Sequence, residues 1–273
     1  MTFSVVARDP ATGELGIAVS SCILAVGRAV PGARPGVGVV AVQARSRRGL
    51  GGSLLAGLEA GRQPAELVRA AAHAAEDVDR QIAVLDATGA VAADTGRGSF
   101  PVSGHLLGDQ VGVQGNMLAS AEVLPAMLRA WTAAPGDLAD RLLAALTAGQ
   151  DAGGDVRGRQ SAALLVVSGE PAGEEDDGIR IDLRVDDSGD PVAQLRMLRN
   201  LHRAYDEGDY EHLALFAPEG ARDLYAALAA SRRGDRAAAR AALEALRDRP
   251  GWSAWLAAMA GDRRLAAVSR LLG

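Results

Sequence analysis

Thr2 is the residue of this chain best suited to nucleophilic chemistry. Methionine is normally removed when residue 2 is small, and its loss would leave Thr2 with a free α-amine beside its own hydroxyl. An α-amine has a reference pKa of about 8, so near neutral pH it can accept the hydroxyl proton. A nucleophile paired with the amine of the same residue is a recognised route to covalent catalysis. The chain contains no lysine, and all 29 basic side chains counted as Lys plus Arg are Arg. No ε-amine is therefore on hand, and the base narrows to the α-amine or to His105. The competing reading is that a small residue at position 2 reports only efficient methionine removal.

Other residues fall into supporting roles. Asn116, between Gly115 and Met117, is the candidate oxyanion donor. Its amide can donate to a developing charge, and a glycine neighbour lets backbone N–H groups approach a substrate. An Asn in this setting can equally cap a following helix. Ser20 and Ser21 can orient the amine or relay its proton. Asp155 and Arg157 can hold a charged substrate end or simply pair with each other. Cys22, Gln43 and Gln114 join them on the substrate-binding side. With no His beside it in sequence, Cys22 reads as a small buried hydrophobe rather than a rival nucleophile. A lone His such as His105 is more often structural than catalytic. No Cys/His cluster has metal-ligand spacing, and no phosphate loop or dinucleotide fingerprint is present. The expectation is therefore no metal and no cofactor.

The elements that position these residues begin at once. Phe3, Val5 and Ala7 alternate with Ser4, Val6 and Arg8, the period of a strand. Residues 9–13, Asp-Pro-Ala-Thr-Gly, supply a turn. Leu15 to Val19 returns as a mostly apolar strand. With a core strand expected from residue 2 and no basic-then-apolar segment of the signal-peptide kind, the expectation is a chain without a leader. Strands are expected at 37–42, 81–86, 90–93, 110–113, 161–167 and 179–185. Helices are expected at 53–60, 64–75, 119–131 and 137–148, with loops at 31–36, 46–52 and 101–108. Hairpins separated by helix pairs suggest two packed sheets flanked by helices, an α+β four-layer αββα sandwich. From Pro191 the chain is continuously helical and rich in Ala, Leu and Arg. The expected domains are 1–190 and 191–273, the second a helical extension suited to docking or oligomerisation.

Composition sets the outer limits. A chain of 273 residues that is 48% hydrophobic and 23% charged can bury a sizeable core. Aromatics make up 3%, so that core is built from small aliphatic side chains. A net charge of −5 argues against a nucleic-acid partner. One cysteine excludes an internal disulfide and suggests a reducing, cytoplasmic setting. No run approaches the roughly 18 apolar residues of a membrane span.

A threonine, a strand, a Gly-containing turn and a strand ending Ala-Val-Ser-Ser resembles the start of N-terminal-nucleophile (Ntn) hydrolases. More closely, the chain resembles a bacterial Ntn-hydrolase-like family, the domain of unknown function 1028 family. The resemblance rests on residues 2–9, 13–19, 25–27, 33–38, Gly104-His105, 113–118 (Val-Gln-Gly-Asn-Met-Leu), 153–155 and 159–162. It implies the αββα fold over residues 2–190, but no defined activity. Some relatives carry a C-terminal helical region proposed to bind peptidoglycan; a cytoplasmic chain argues against that role. Where relatives tend to have a His or bulky aromatics after the second strand, this chain has Ser21-Cys22-Ile23-Leu24, implying a smaller, more apolar pocket. The reading that follows is an amidohydrolase cleaving a small amide or γ-glutamyl-like bond, working as a homo-oligomer such as a dimer. The alternative is a catalytically silent Ntn-fold binding or scaffold protein with a helical interaction tail.

Overall fold

A computed structural model of the chain describes residues 2–45, 49–73 and 78–259. The expected fate of Met1, residues 46–48 of the glycine- and arginine-rich loop, the end of the 64–75 helix and the last residues of the tail lie outside these ranges. The described chain is mixed α+β and divides into two compact units, 1–196 and 197–273.

The first unit opens with β1 (Thr2–Arg8) and β2 (Leu15–Ser21), joined by the expected turn, in which Gly13 takes φ +78°. That backbone conformation favours glycine because it has no Cβ. A short helix α1 (Val26–Ala29) leads to β3 (Pro31–Arg34) and β4 (Gly38–Gln43). Helices α2 (Leu50–Glu59) and α3 (Pro64–His73) precede the β5 (Gln81–Asp86) and β6 (Val91–Thr95) hairpin. A further hairpin, β7 (Gly104–Gly108) and β8 (Val111–Asn116), runs into α4 (Val123–Ala133) and α5 (Leu138–Asp151). The last pair is β9 (Ser161–Val167) and β10 (Ile179–Val185).

These strands form two antiparallel sheets, six strands in the order β10-β9-β2-β1-β8-β7 and four in the order β3-β4-β5-β6. Two segments expected as loops are strands: β3, read as a Pro/Gly passage, and β7, read as the loop holding His105. Both lie at sheet edges. At an edge, Pro31 withholds no ladder donor that a neighbour requires, and glycines at both ends of β7 are tolerated. The 119–131 helix starts later, at Val123, because Ala119 N–H donates to Gly154 O at 2.9 Å and holds the preceding chain in a turn.

Side-chain alternation sorts the packing. Val40, Val42, Ile82 and Val84 meet Leu54, Leu55, Leu58, Leu67 and Val68 of α2 and α3. The opposite face of the same sheet presents Val39, Ala41, Ala83 and Leu85 to Val6, Leu15, Ile17 and Val19 of the six-stranded sheet. Helix α5 packs on β1, β2 and β9, and α4 on β7 and β8. A Cβ at Gly16 would stand 2.6 Å from Leu142 Cδ1, so a small residue there lets α5 approach β2 closely. Asp137 caps α5 by accepting from Asp140 N–H at 2.9 Å.

Helix α6 (Pro191–Glu207) crosses the division between the units. The second unit continues with α7 (Tyr210–Phe216), α8 (Glu219–Arg232), α9 (Arg236–Arg247) and α10 (Trp252–Met259). Leu228, Leu243, Leu246 and Leu256 form its core, and Tyr225 lies between Tyr205 and Tyr210. Burial first, then its contact with Tyr205, pushes the Tyr225 phenol up to about 12.

Candidate functional site

Register fixes which side chains meet. Thr2 stands opposite Ser21 on one side and Asn116 on the other, and Ser21 stands opposite Ser161. These four form one cross-strand row on one face of the six-stranded sheet. The next row on that face is Ala163, Val19, Ser4, Gln114 and His105. In the four-stranded sheet Gln43, Gln81 and Thr95 are likewise in register. Antiparallel pairing thus gathers the polar ends of strands far apart in sequence.

The rows join across the sheets through amides. Thr2 Oγ1 and Ser21 Oγ are 3.1 Å apart. Gln43 Nε2 donates to Thr2 O at 3.1 Å and to Gln81 Oε1 at 3.0 Å, while Ser4 Oγ donates to Gln43 Oε1 at 2.8 Å. Asn116 Nδ2 donates to the same Gln81 Oε1 at 2.7 Å. Gln81 Nε2 reaches Gly115 O at 2.7 Å, and Gly104 O and Thr95 Oγ1 at 3.1 Å. Thr95 Oγ1 lies 2.9 Å from His105 Nδ1. Gln81 is therefore the hub of the network. No motif surrounds it, and sequence reasoning passed it over. The signal was a polar residue opening an otherwise apolar strand, on the face shared with Ala83 and Leu85.

The candidate residues divide accordingly. Thr2, Ser21, Asn116, Gln43 and His105 are brought into one network, and Gly115 enters it through its carbonyl. Ser20 is not, because it pairs with Phe3 and alternation turns it to the other face. Phe3 faces α5, its Cε2 standing 3.2 Å from a Cβ built at Gly149. Gly115 is a strand residue in register with both Phe3 and Gly104. His105 sits in β7 rather than in a loop, and Asn116 ends β8 instead of capping a helix. Gln114 donates to Ala41 O at 3.3 Å, and its Oε1 has no hydrogen-bond partner among the described residues.

Asp155 does structural work. It accepts from Cys22 N–H at 3.1 Å and Arg157 N–H at 2.8 Å, with Arg157 Nε 3.5 Å away. Burial first, and then the Asp155 carboxylate, pushes the Cys22 thiol above its ordinary range. It therefore stays protonated near neutral pH, which does not suit a nucleophile, and the side chain is half-buried beside the exposed Ile23 and Leu24 rather than the buried hydrophobe expected.

Thr2 is 4% exposed and Asn116 is 2% exposed, but Asn116 borders a 150 Å³ cleft with Ala44, Arg45, Asp79, Ser99, Phe100 and Met117. Ala44 and Met117 directly follow β4 and β8 and have φ of +64° and +48°. Non-glycine residues held there cost roughly 1–3 kcal/mol each, and such strain tends to gather at ligand sites. Larger hollows lie elsewhere: one of 340 Å³ between the end of α3 and β6, lined in part by His73, Arg80 and Asp94, and one of 630 Å³ along β7 and α4. Among the described residues no group of His, Cys, Asp and Glu could hold a metal ion, and no helix is long and apolar enough to cross a membrane.

Comparison with known proteins agrees over the first unit. The model of a family of unknown function (DUF1028) matches residues 2–195. A solved DUF1028 protein from Silicibacter pomeroyi is 32% identical, spans 74% of this chain and 88% of its own, and superposes with a TM-score of 0.66. Anbu, an ancestral beta-subunit from Yersinia bercovieri, is 13% identical with a TM-score of 0.34, over 79% of this chain and 98% of its own. No curated protein matches. The chain belongs to the DUF1028 family of unknown function.

Proposed function

We propose that the first unit is an αββα sandwich of the N-terminal-nucleophile type, acting as an amidohydrolase on a small amide or γ-glutamyl-like bond. The observation that carries this reading is the position of Thr2. It begins the central strand β1, between Ser21 and Asn116 in register, and Asn116 borders a cleft. Once Met1 is gone, Thr2 Oγ attacks the substrate carbonyl carbon and its proton passes to the Thr2 α-amine. The Asn116 amide donates to the oxyanion. Collapse breaks the C–N bond, and the leaving amine takes the proton from the Thr2 ammonium. Water then attacks the Thr2 ester as its proton passes to the α-amine; collapse breaks the C–Oγ bond, the ammonium returns the proton to Oγ, and the acid leaves.

Intact-mass analysis tests the first requirement, and an amide and γ-glutamyl substrate panel tests the second. The expected results are a mass lacking Met1, turnover by the processed protein, and loss of that turnover in Thr2→Ala. Activity in protein that retains Met1 sinks the amine as base. A second reading, a binding protein without chemistry, is favoured by the near-complete burial of Thr2 and by the hold of Gln81 on the Asn116 amide. A processed protein that turns over nothing and forms no adduct decides for it.

A further inference from the structure

The two sheets of the first unit end in β10, β7, β3 and β6. An edge strand presents a row of N–H and C=O groups to any further strand, and proline or charged side chains discourage that pairing. Three of these edges carry such residues. β3 has Pro31 and Arg34, β6 has Asp94, and β10 has Arg180, Asp182 and Arg184. The fourth, β7, reads Gly-His-Leu-Leu-Gly, without proline or a permanent charge. Among the described residues its backbone makes no backbone hydrogen bond beyond the ladder to β8. Leu106 and Leu107 are 37% and 44% exposed, on opposite faces of the strand.

The surface beside this edge is complementary to itself. Leu106 borders the 630 Å³ hollow with Pro125, Leu128 and Thr132, which follow one another along α4 at helical spacing. Glu122, at the N-cap of α4, and Arg129 lie on the same stripe and pair with each other, their side chains 60% and 64% exposed. A pair this exposed contributes little within one chain. The stripe thus has an acid at one end and a base toward the other, with Pro125 between them. Turned end for end by a two-fold axis, the acid of one copy meets the base of the other, and the reverse. An interface between identical copies needs a patch of this kind. A strand from an unrelated protein would use the edge without calling for that symmetry.

We infer that β7 and this face of α4 form a two-fold interface between two copies of the chain. The two β7 strands pair antiparallel about Leu106, which joins the two six-stranded sheets edge to edge. Leu106 meets its counterpart on the α4 side, and His105 of each copy lies opposite Leu107 of the other. Glu122 of each copy faces Arg129 of the other along the apolar stripe. The interface rests on none of the chemistry proposed for Thr2, and it lies on the first unit, not on the helical tail.

Sedimentation velocity of the full chain from about 1 µM to about 100 µM, a range that reaches weak interfaces, tests this. The native protein should dimerise within that range. Leu106→Lys sets a charge on the edge and should weaken the dimer at least about tenfold while thermal melts show it folded. Ile179→Lys, on the β10 edge and at a residue 45% exposed, should leave the dimer unchanged. Glu122→Arg and Arg129→Glu should each be monomeric alone, because each brings like charges face to face twice across the axis. Mixed in equal amounts, these two variants should form a heterodimer, since every pair across the axis is again of opposite sign. That rescue also decides the matter where Leu106→Lys fails to fold. A native monomer at every concentration overturns the interface and leaves the edge to a strand of another protein. A dimer indifferent to folded Leu106→Lys or to either charge reversal, one weakened equally by Ile179→Lys, or a mixture that stays monomeric overturns it as well.

Discussion

Between the two sheets, one half is built on Val6, Ile17, Val39 and Leu85, and the other on Thr2, Gln43, Gln81 and Asn116. The apolar four are at most 1% exposed and the polar four at most 4% exposed. Equal burial has been reached by opposite means. In the first half, removal of apolar surface from water stabilises the fold wherever the shapes fit. In the second, each buried amide would cost about 1–3 kcal/mol if left unpaired, so the network holds only because its members find one another. The lesson is one of tolerance: the apolar half depends on volume, the polar half on specific partners.

The sharpest way to break this comparison is Gln81→Met, which keeps the volume and removes the hub. It strands the amides of Gln43 and Asn116 together with the carbonyls of Gly104 and Gly115. The expected loss is about 3 kcal/mol or more in urea unfolding. Leu85→Met in the other half should cost less than about 1.5 kcal/mol. If both lose the same amount, the contrast between the halves is wrong.

A single-bond test comes next. Ser4→Ala removes the donor to Gln43 Oε1 and should cost about 1–2 kcal/mol by the same measurement. Gln114→Met sharpens the picture from the other direction. Its Oε1 is already without a partner among the described residues, so the change should stay within about 1 kcal/mol of neutral. The smallest effect concerns Cys22. With its thiol pushed up by burial and by Asp155, Cys22 holds less thiolate at pH 8 than an unperturbed cysteine, whose pKa is about 8.5. Alkylation should therefore be slower than for a free thiol at that pH; an equal or faster rate would contradict the assigned environment.

Much of the scaffold was legible because its signals are local. The β1–β2 hairpin follows from alternation and a turn ending in glycine, and the α5 helix from leucines at helical spacing after Asp137. The two missed strands, β3 and β7, are both edges. Edge strands carry proline and glycine that a central strand would not accept, so their signal is faint, and only the neighbouring strand makes them strands. Ser20 and Ser21 show the same limit at the scale of a side chain. Both end the apolar strand, yet only Ser21 shares the face of Thr2.

By itself the sequence determined that residue 2 is a threonine opening a core strand, that no lysine competes as base, and that the first 190 or so residues follow one family pattern. Those facts need only composition and neighbours within a few positions. Tertiary structure alone decided that Gln81 links Gln43 to Asn116, that Thr95 carries the chain of contacts to His105, and that Arg45 and Asp79 share a cleft with Asn116. Most of these contacts join residues more than 30 positions apart. Strand register and the facing of two sheets create them, and no local propensity encodes either.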